Sequence, residues 1–203
     1  MKQHTFLGAV LGAMICSSTA WAIEPGDAAP AFTVKNTKGE EVSLASQKGK
    51  VVVLEWVNFE CPFVKKHYGS GNIPKLQAKY TGKDVVWITV NSSAEGQQGY
   101  LAASELGERA KKEGNKATQI VLDTDGAVGK AYGAKTTPHL FVIDKEGKVA
   151  YNGAIDSKDT TDVKDIESAD SYISNAIDAV LAGKTVDNAK TKPYGCGVKY
   201  ASK

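Results

Sequence analysis

The chain reads as an α/β fold, a central mixed β-sheet flanked by helices, and three observations carry that reading. The unbroken apolar run Val51–Leu54 and the largely apolar run Val85–Val90 have the β-branched content of central strands buried on both faces. Segments of helical character alternate with the strands, as layered α/β folds require. Two hairpin patterns bracket the set, one early and one late.

In chain order, Pro25 to Pro30 is an irregular entry. Phe32–Val34 and Val42–Leu44 flank the turn Asn36-Thr37-Lys38-Gly39 and predict an N-terminal β-hairpin. After Gly49, β-formers run from Val51 to Phe59 and lead into a short helix, Pro62 to Tyr68. Gly69-Ser70-Gly71-Asn72 interrupts that helix, and a second is predicted from about Pro74 to Tyr80. A strand over Val85–Val90, a helix over Leu101–Glu113, a strand over Gln119–Leu122 and a helical turn over Ala127–Tyr132 follow. Leu140–Ile143 and Val149–Tyr151 form the second hairpin around Asp144-Lys145-Glu146-Gly147. Ile166, Ala169, Ile173, Ile177, Val180 and Leu181 recur at helical spacing up to Gly183.

Length and composition bound the rest. The 203 residues suffice for one ordinary domain with a real core. Lys2 and His4 precede the apolar run Phe6–Ile15 and the small-residue ending Ala20-Trp21-Ala22. This is the pattern of a secretory signal peptide cleaved after Ala22, and the run is too short to span a membrane. The expected organisation is therefore a leader over 1–22, a domain over 23–184 and a C-terminal tail over 185–203. Cleavage removes Cys16 and one of 25 basic residues, which otherwise face 23 acidic ones. So balanced a chain is not expected to bind nucleic acid. Cys61 and Cys196 remain, and two cysteines in an oxidising compartment are candidates for pairing.

Cys61 is the most telling residue. It sits where the first long strand meets a helix whose first position is Pro62. A thiol there faces the positive end of the helix dipole, which favours the nucleophilic thiolate. The competing reading is an inert packed cysteine. Glu55 is the second unusual residue, because Val51, Val53, Glu55, Val57 and Phe59 share one face of the strand. Burial there would raise its pKa, whereas a sheet-edge position would let it reach solvent. Cys196 lies among Pro193, Gly195 and Gly197, a setting that predicts a mobile, accessible thiol.

Four features together resemble the thioredoxin-like superfamily in its redoxin branch, which contains the peroxiredoxins and periplasmic thioredoxin-like proteins. They are the entry Pro25-Gly26-Asp27 to Phe32 with Gly39–Leu44, the placement of Cys61, the loop Thr136-Thr137-Pro138 before a strand, and the strand Phe141–Asp144 with its Gly147 hairpin. The resemblance covers about residues 24–182. A narrower one, to peroxiredoxin-like exported proteins, rests on Cys61-Pro62-Phe63-Val64, Gly153-Ala154-Ile155-Asp156 and Tyr194–Lys199. It implies a thioredoxin-like fold with an N-terminal hairpin extension, a periplasmic location and no stable membrane insertion after the leader is cut.

The resemblance also assigns roles. Cys61 matches the first thioredoxin cysteine, but Val64 stands where the second would be. Glu55 matches the family's buried proton-transfer acid, six residues before that cysteine. Thr137 and Pro138 match the cis-proline loop, whose open backbone edge would pair with an extended substrate strand beside Pro62. Cys196 then has three open readings: a resolving partner of Cys61, half of a permanent structural disulfide, or a thiol that never meets Cys61. Peroxiredoxins carry Pro and Thr or Ser where this chain has Leu54 and Asn58, and its lone Arg109 lies in a middle helix. The reading is thus a thiol–disulfide oxidoreductase acting on a protein or small disulfide, served by an upstream reductant and needing no cofactor beyond its thiols. A weak thiol peroxidase and a non-catalytic binding module are the rivals. A copper site of Cys61 with His67 or His139 is disfavoured, because Lys65 replaces the second cysteine it needs. His67 is expected to be exposed, and Lys65 and Lys66 solvated.

Overall fold

The computed structural model describes residues 23–202, and the leader with Cys16 lies outside them. The elements run β1 (Thr33–Asn36), β2 (Glu41–Ser43), β3 (Val52–Trp56), α1 (Pro62–Gly69), α2 (Asn72–Thr81), β4 (Val86–Asn91), α3 (Ala103–Lys112) and β5 (Gln119–Leu122). Then come α4 (Ala127–Tyr132), β6 (Thr136–Thr137), β7 (His139–Ile143), β8 (Val149–Gly153), α5 (Tyr172–Leu181) and β9 (Cys196–Gly197). Seven strands form one mixed sheet in the order β2-β1-β5-β4-β3-β7-β8. β3, β4 and β5 are parallel, β7 runs antiparallel to β3, and the two hairpins supply the edges.

β3 is central, and the unbroken apolar run explains why. Its even residues Val52, Leu54 and Trp56 pack with Ile88, Phe141, Val128 and Tyr132 on one face. Val53 and Val57 pack with Trp87, Leu140, Tyr68, Ile73 and Ile177 on the other. The Trp56 ring meets Tyr132 at 5.6 Å and Phe141 at 5.3 Å, which locks the first layer.

The last helix is shorter than its sequence pattern. Asp162 Oδ1 accepts from the Lys164 amide and starts a 3₁₀ turn over Val163–Ile166. Ser171 Oγ then accepts from the Ser174 amide and starts α5. Two caps in succession divide the segment, so Ile166 and Ala169 precede the helix rather than join it.

Beyond α5 the tail returns across the domain. The Asn152 amide donates to the Ala189 carbonyl and the Thr191 amide to the Asn152 carbonyl, so the tail lies along β8. Thr191 Oγ1 also accepts from the Ala154 amide at 2.9 Å and meets Tyr151 Oη at 2.6 Å. Gly153 makes this approach feasible, since a Cβ there would stand 2.1 Å from Thr191 Oγ1 and 2.8 Å from its carbonyl oxygen. Gly153→Ala is therefore expected to lift the tail from β8 and to cost about 1–3 kcal/mol of stability. Urea unfolding and limited proteolysis between residues 184 and 194 measure the two effects, and an unchanged tail would contradict this account.

Candidate active site

The turn that presents Cys61 is built from local hydrogen bonds. The Cys61 amide donates to the Asn58 carbonyl, and Asn58 Oδ1 accepts from the Glu60 amide. Asn58 Nδ2 donates to the Gln98 carbonyl, and the lone arginine donates through Nη2 to the Phe59 carbonyl at 3.0 Å. Arg109 thus reaches the cysteine turn although it lies on α3, but its guanidinium braces the backbone and pairs with Glu113. Cys61 is the N-cap of α1 and Pro62 its exposed first residue, a position where a missing N–H costs nothing.

Opposite stands the loop before β7. The Thr137–Pro138 peptide is cis, and the Thr137 carbonyl accepts from Cys61 Sγ at 3.0 Å. Thr137 also pairs with Cys196, because β6 and β9 form a two-stranded antiparallel sheet. Thr137 Oγ1 donates to the Cys196 carbonyl at 3.4 Å, and the Val198 amide donates to the Lys135 carbonyl at 3.0 Å. Cys61 and Cys196 are free thiols that come to the same residue, Cys61 Sγ on the Thr137 carbonyl and Cys196 as the strand partner of Thr137. The structure brings Cys196 to the residue that Cys61 touches, as the resolving and structural readings of Cys196 both require. Cys196 is half-buried rather than fully accessible, paired as a strand with Thr137, and Cys61 itself is only 1 % exposed.

The two thiols are electrically unequal. Burial alone would push the Cys61 thiol up, yet its pKa is lowered by the Cys196 thiol, the Val64 amide and the Thr137 hydroxyl. Cys196 is pushed up to about 11 by burial and by the neighbouring Cys61. Of the two thiols, Cys61 is the one whose thiolate the surroundings favour.

Glu55 is fully buried in the middle of β3 rather than at a sheet edge. Tyr68 Oη donates to Oε1 at 3.0 Å, while Trp87 Nε1 at 2.7 Å and Gln77 Nε2 at 3.0 Å donate to Oε2. Asn115 Nδ2 donates to both Tyr68 Oη and Thr89 Oγ1, closing the network. Burial raises the Glu55 pKa to about 7 although these donors favour the carboxylate. Desolvation wins, and the acid titrates near neutrality.

Four residues of the neighbourhood were misread or missed in the sequence. His67, expected on an exposed helix face, is fully buried, and Lys66 beside it is 2 % exposed with Nζ donating to the Lys158 carbonyl. The returning tail and the Asp156 segment cover that face of α1. Tyr194 Oη donates to Asp156 Oδ1 at 2.6 Å and lies 3.1 Å from His67 Nε2. The only signals in the sequence were the segments holding Asp156 and Tyr194. His139 is buried elsewhere, with Nδ1 accepting from the Lys135 amide and Nε2 against Asn152 Oδ1, so the two histidines share no site. The cavities of about 620 and 520 Å³ on the surface are lined by neither cysteine.

Glu55 gives a pH signature. An acid whose pKa rises from 4.5 to about 7 on folding holds its proton more tightly in the folded chain. Its contribution is full below pH 4.5 and is lost as pH rises through 7, on the order of 3 kcal/mol in all. His67 and His139, held down to about 4 by burial, act oppositely and only below about pH 6.5. Urea titrations from pH 6.5 to 8 should therefore show stability falling in the wild type and a flatter profile in Glu55→Gln. An equal slope in both would mean that another group carries it.

The comparisons with known proteins agree with this geometry. The thiol-disulfide oxidoreductase ResA of Bacillus subtilis is 29% identical over 128 residues, which cover 63% of this chain and 66% of that protein. An uncharacterized conserved protein from Geobacillus kaustophilus has a solved structure that superposes with a TM-score of 0.74 at 26% identity, over 89% of this chain and 94% of that one. The thioredoxin domain of a thiol-disulfide oxidoreductase from Bacteroides vulgatus superposes at 0.50 with 24% identity, over 63% and 86% of the two chains. The fold is thioredoxin-like. A Redoxin family model matches residues 24–169, so the chain belongs to the Redoxin family.

Proposed function

We propose that this protein is an exported thiol–disulfide oxidoreductase in which Cys61 is the nucleophile and Cys196 the resolving thiol. The observation that carries the reading is the meeting of both cysteines at Thr137, Cys61 through its sulfur and Cys196 through its strand. The lowered pKa of Cys61 and the name carried by its relatives support it. Export rests on the leader pattern of residues 1–22 and suits the periplasm.

The Cys61 thiolate attacks one sulfur of a substrate disulfide, which forms a mixed disulfide and releases the first substrate thiolate. Cys196, once deprotonated, attacks Cys61 Sγ and releases the second. Two electrons pass from the dithiol to the substrate, and an upstream dithiol reductant must reopen the Cys61–Cys196 bond. Glu55, titrating near 7, serves as the proton store behind the helix turn, with Tyr68 held protonated as its donor. Thr137 and Pro138 position the partner, next to the exposed Pro62. The substrate is a protein or small-molecule disulfide.

Intact mass before and after alkylation tests this. Oxidised glutathione should yield a species lighter by two hydrogens that resists alkylation, and Cys61→Ser should abolish it. Cys196→Ser should instead accumulate a glutathione adduct at Cys61. Two freely alkylated thiols after oxidation would end the proposal. Stopped-flow mixing with hydrogen peroxide separates the peroxidase rival, for which Cys61 must react faster than a free thiol of equal pKa.

A further inference from the structure

The tail residues just before Cys196 carry a feature the proposed reaction does not use. Tyr194 inserts its hydroxyl beside Asp156 and His67, both buried, at 3 % and 0 % exposure. Asn72 Nδ2 lies 2.9 Å from His67 Nδ1 and can only donate, so the imidazole proton sits on Nε2. Nε2–H then donates to Tyr194 Oη, and Tyr194 donates to Asp156 Oδ1, a directed chain from α2 through α1 to the tail. Among the described residues Asp156 Oδ2 has no hydrogen-bond partner, and it lies 3.9 Å from His67 Nε2. Leaving a carboxylate oxygen buried and unpaired is costly, and a packing anchor would not need it. The Tyr194 ring also lies 5.7 Å from Phe63, the second residue of α1.

Between this socket and Cys196 stands one residue, Gly195, at φ +120°. A Cβ there would lie 2.2 Å from the Thr137 carbonyl oxygen, the acceptor for Cys61. A socketed tyrosine followed by a backbone in contact with Thr137 leaves the next side chain little freedom, and that side chain is the Cys196 thiol.

We propose that Tyr194 is a positioning residue: its seat on His67 and Asp156 holds Cys196 against Cys61 and closes the tail over the nucleophile. This rests on reading Cys196 as the resolving thiol and names what makes resolution efficient. Loss of the seat lowers the effective concentration of Cys196 at Cys61 and exposes Cys61, two effects in opposite directions for two reagents.

The test uses Tyr194→Phe in the full chain, which keeps the ring against Phe63 and removes only the hydroxyl. In a glutathione redox buffer, one dithiol and one oxidised glutathione give one protein disulfide and two glutathione thiols, so the equilibrium constant reports effective concentration. It is expected to fall about tenfold, the factor that loss of a hydrogen bond to a charged group implies. In a Cys196→Ser background, alkylation of Cys61 by a bulky maleimide is expected to quicken on adding Tyr194→Phe. A lower melting temperature with an unchanged constant and alkylation rate would make Tyr194 merely structural and overturn the proposal. If the wild type forms no Cys61–Cys196 bond, the resolving reading falls and the proposal with it, an outcome distinct from a variant that matches a functioning wild type. Should Tyr194→Phe fail to fold, the isosteric Asp156→Asn must shift both readouts the same way, and no shift overturns the proposal.

Discussion

The backbone of Thr137 is the reference point of the site. One carbonyl accepts from the Cys61 thiol, and the same residue pairs with Cys196 as a strand neighbour. Two cysteines far apart in sequence thereby share one small frame, fixed on one side by β7, which lies between β3 and β8 in the sheet. The frame holds because both approaches are sterically open. Gly195 brings its backbone against the Thr137 carbonyl, and the N-cap geometry of Cys61 points its sulfur off the end of α1. A side chain at 195 or a helix starting one residue earlier would break the arrangement.

Around that frame the protein accepts two expensive buried groups. Glu55 sits in the central strand without a counter-ion, and three donors within 3.0 Å hold it without cancelling the desolvation. Asp156 keeps one oxygen unpaired while the other receives the Tyr194 hydroxyl. Neither group improves packing, and an apolar residue of similar size would fit the hydrophobic setting at less cost. Both lie along routes to the thiols, Glu55 behind α1 through Tyr68 and Asp156 behind the tail through Tyr194. Strongly perturbed or unsatisfied groups gather where chemistry is done, which agrees with the proposed reaction.

Much of the fold was legible because it depends on local patterns. The apolar runs of β3 and β4 could only be buried strands, and the hairpin turns announce themselves by Gly39 and Gly147. Glu55 was legible for the same reason, since a period of two puts it among valines. His67 was misread because exposure was judged from α1 alone, while the covering surface comes from Asp156 and a tail more than a hundred residues on. Cys196 was read as mobile because its flanking glycines suggested flexibility. One of them, Gly195, instead permits a close backbone contact with Thr137, and Cys196 lies half-buried in a strand. The start of α5 failed similarly, where two side-chain caps overrode an apolar periodicity. Local sequence specifies elements well, but it does not say which distant segment will cover a face.

Moving the second thiol from a helix to an edge strand has a mechanistic consequence. In a dithiol carried by one helix turn, the cis-proline edge is free to take a substrate strand while resolution comes from the other side. In this chain β9 already occupies the edge at Thr136 and Thr137, and the thiol proposed to resolve, Cys196, is part of that strand. An extended protein segment that pairs there must displace Cys196, and so removes the group that would release it. A small disulfide needs only a transient opening over Cys61, after which β9 can pair again. With Cys61 only 1 % exposed, either substrate must first loosen the tail, but only the extended one must keep it away. Docking and resolution therefore compete for the same backbone, and the strength with which the tail is seated sets the balance between them.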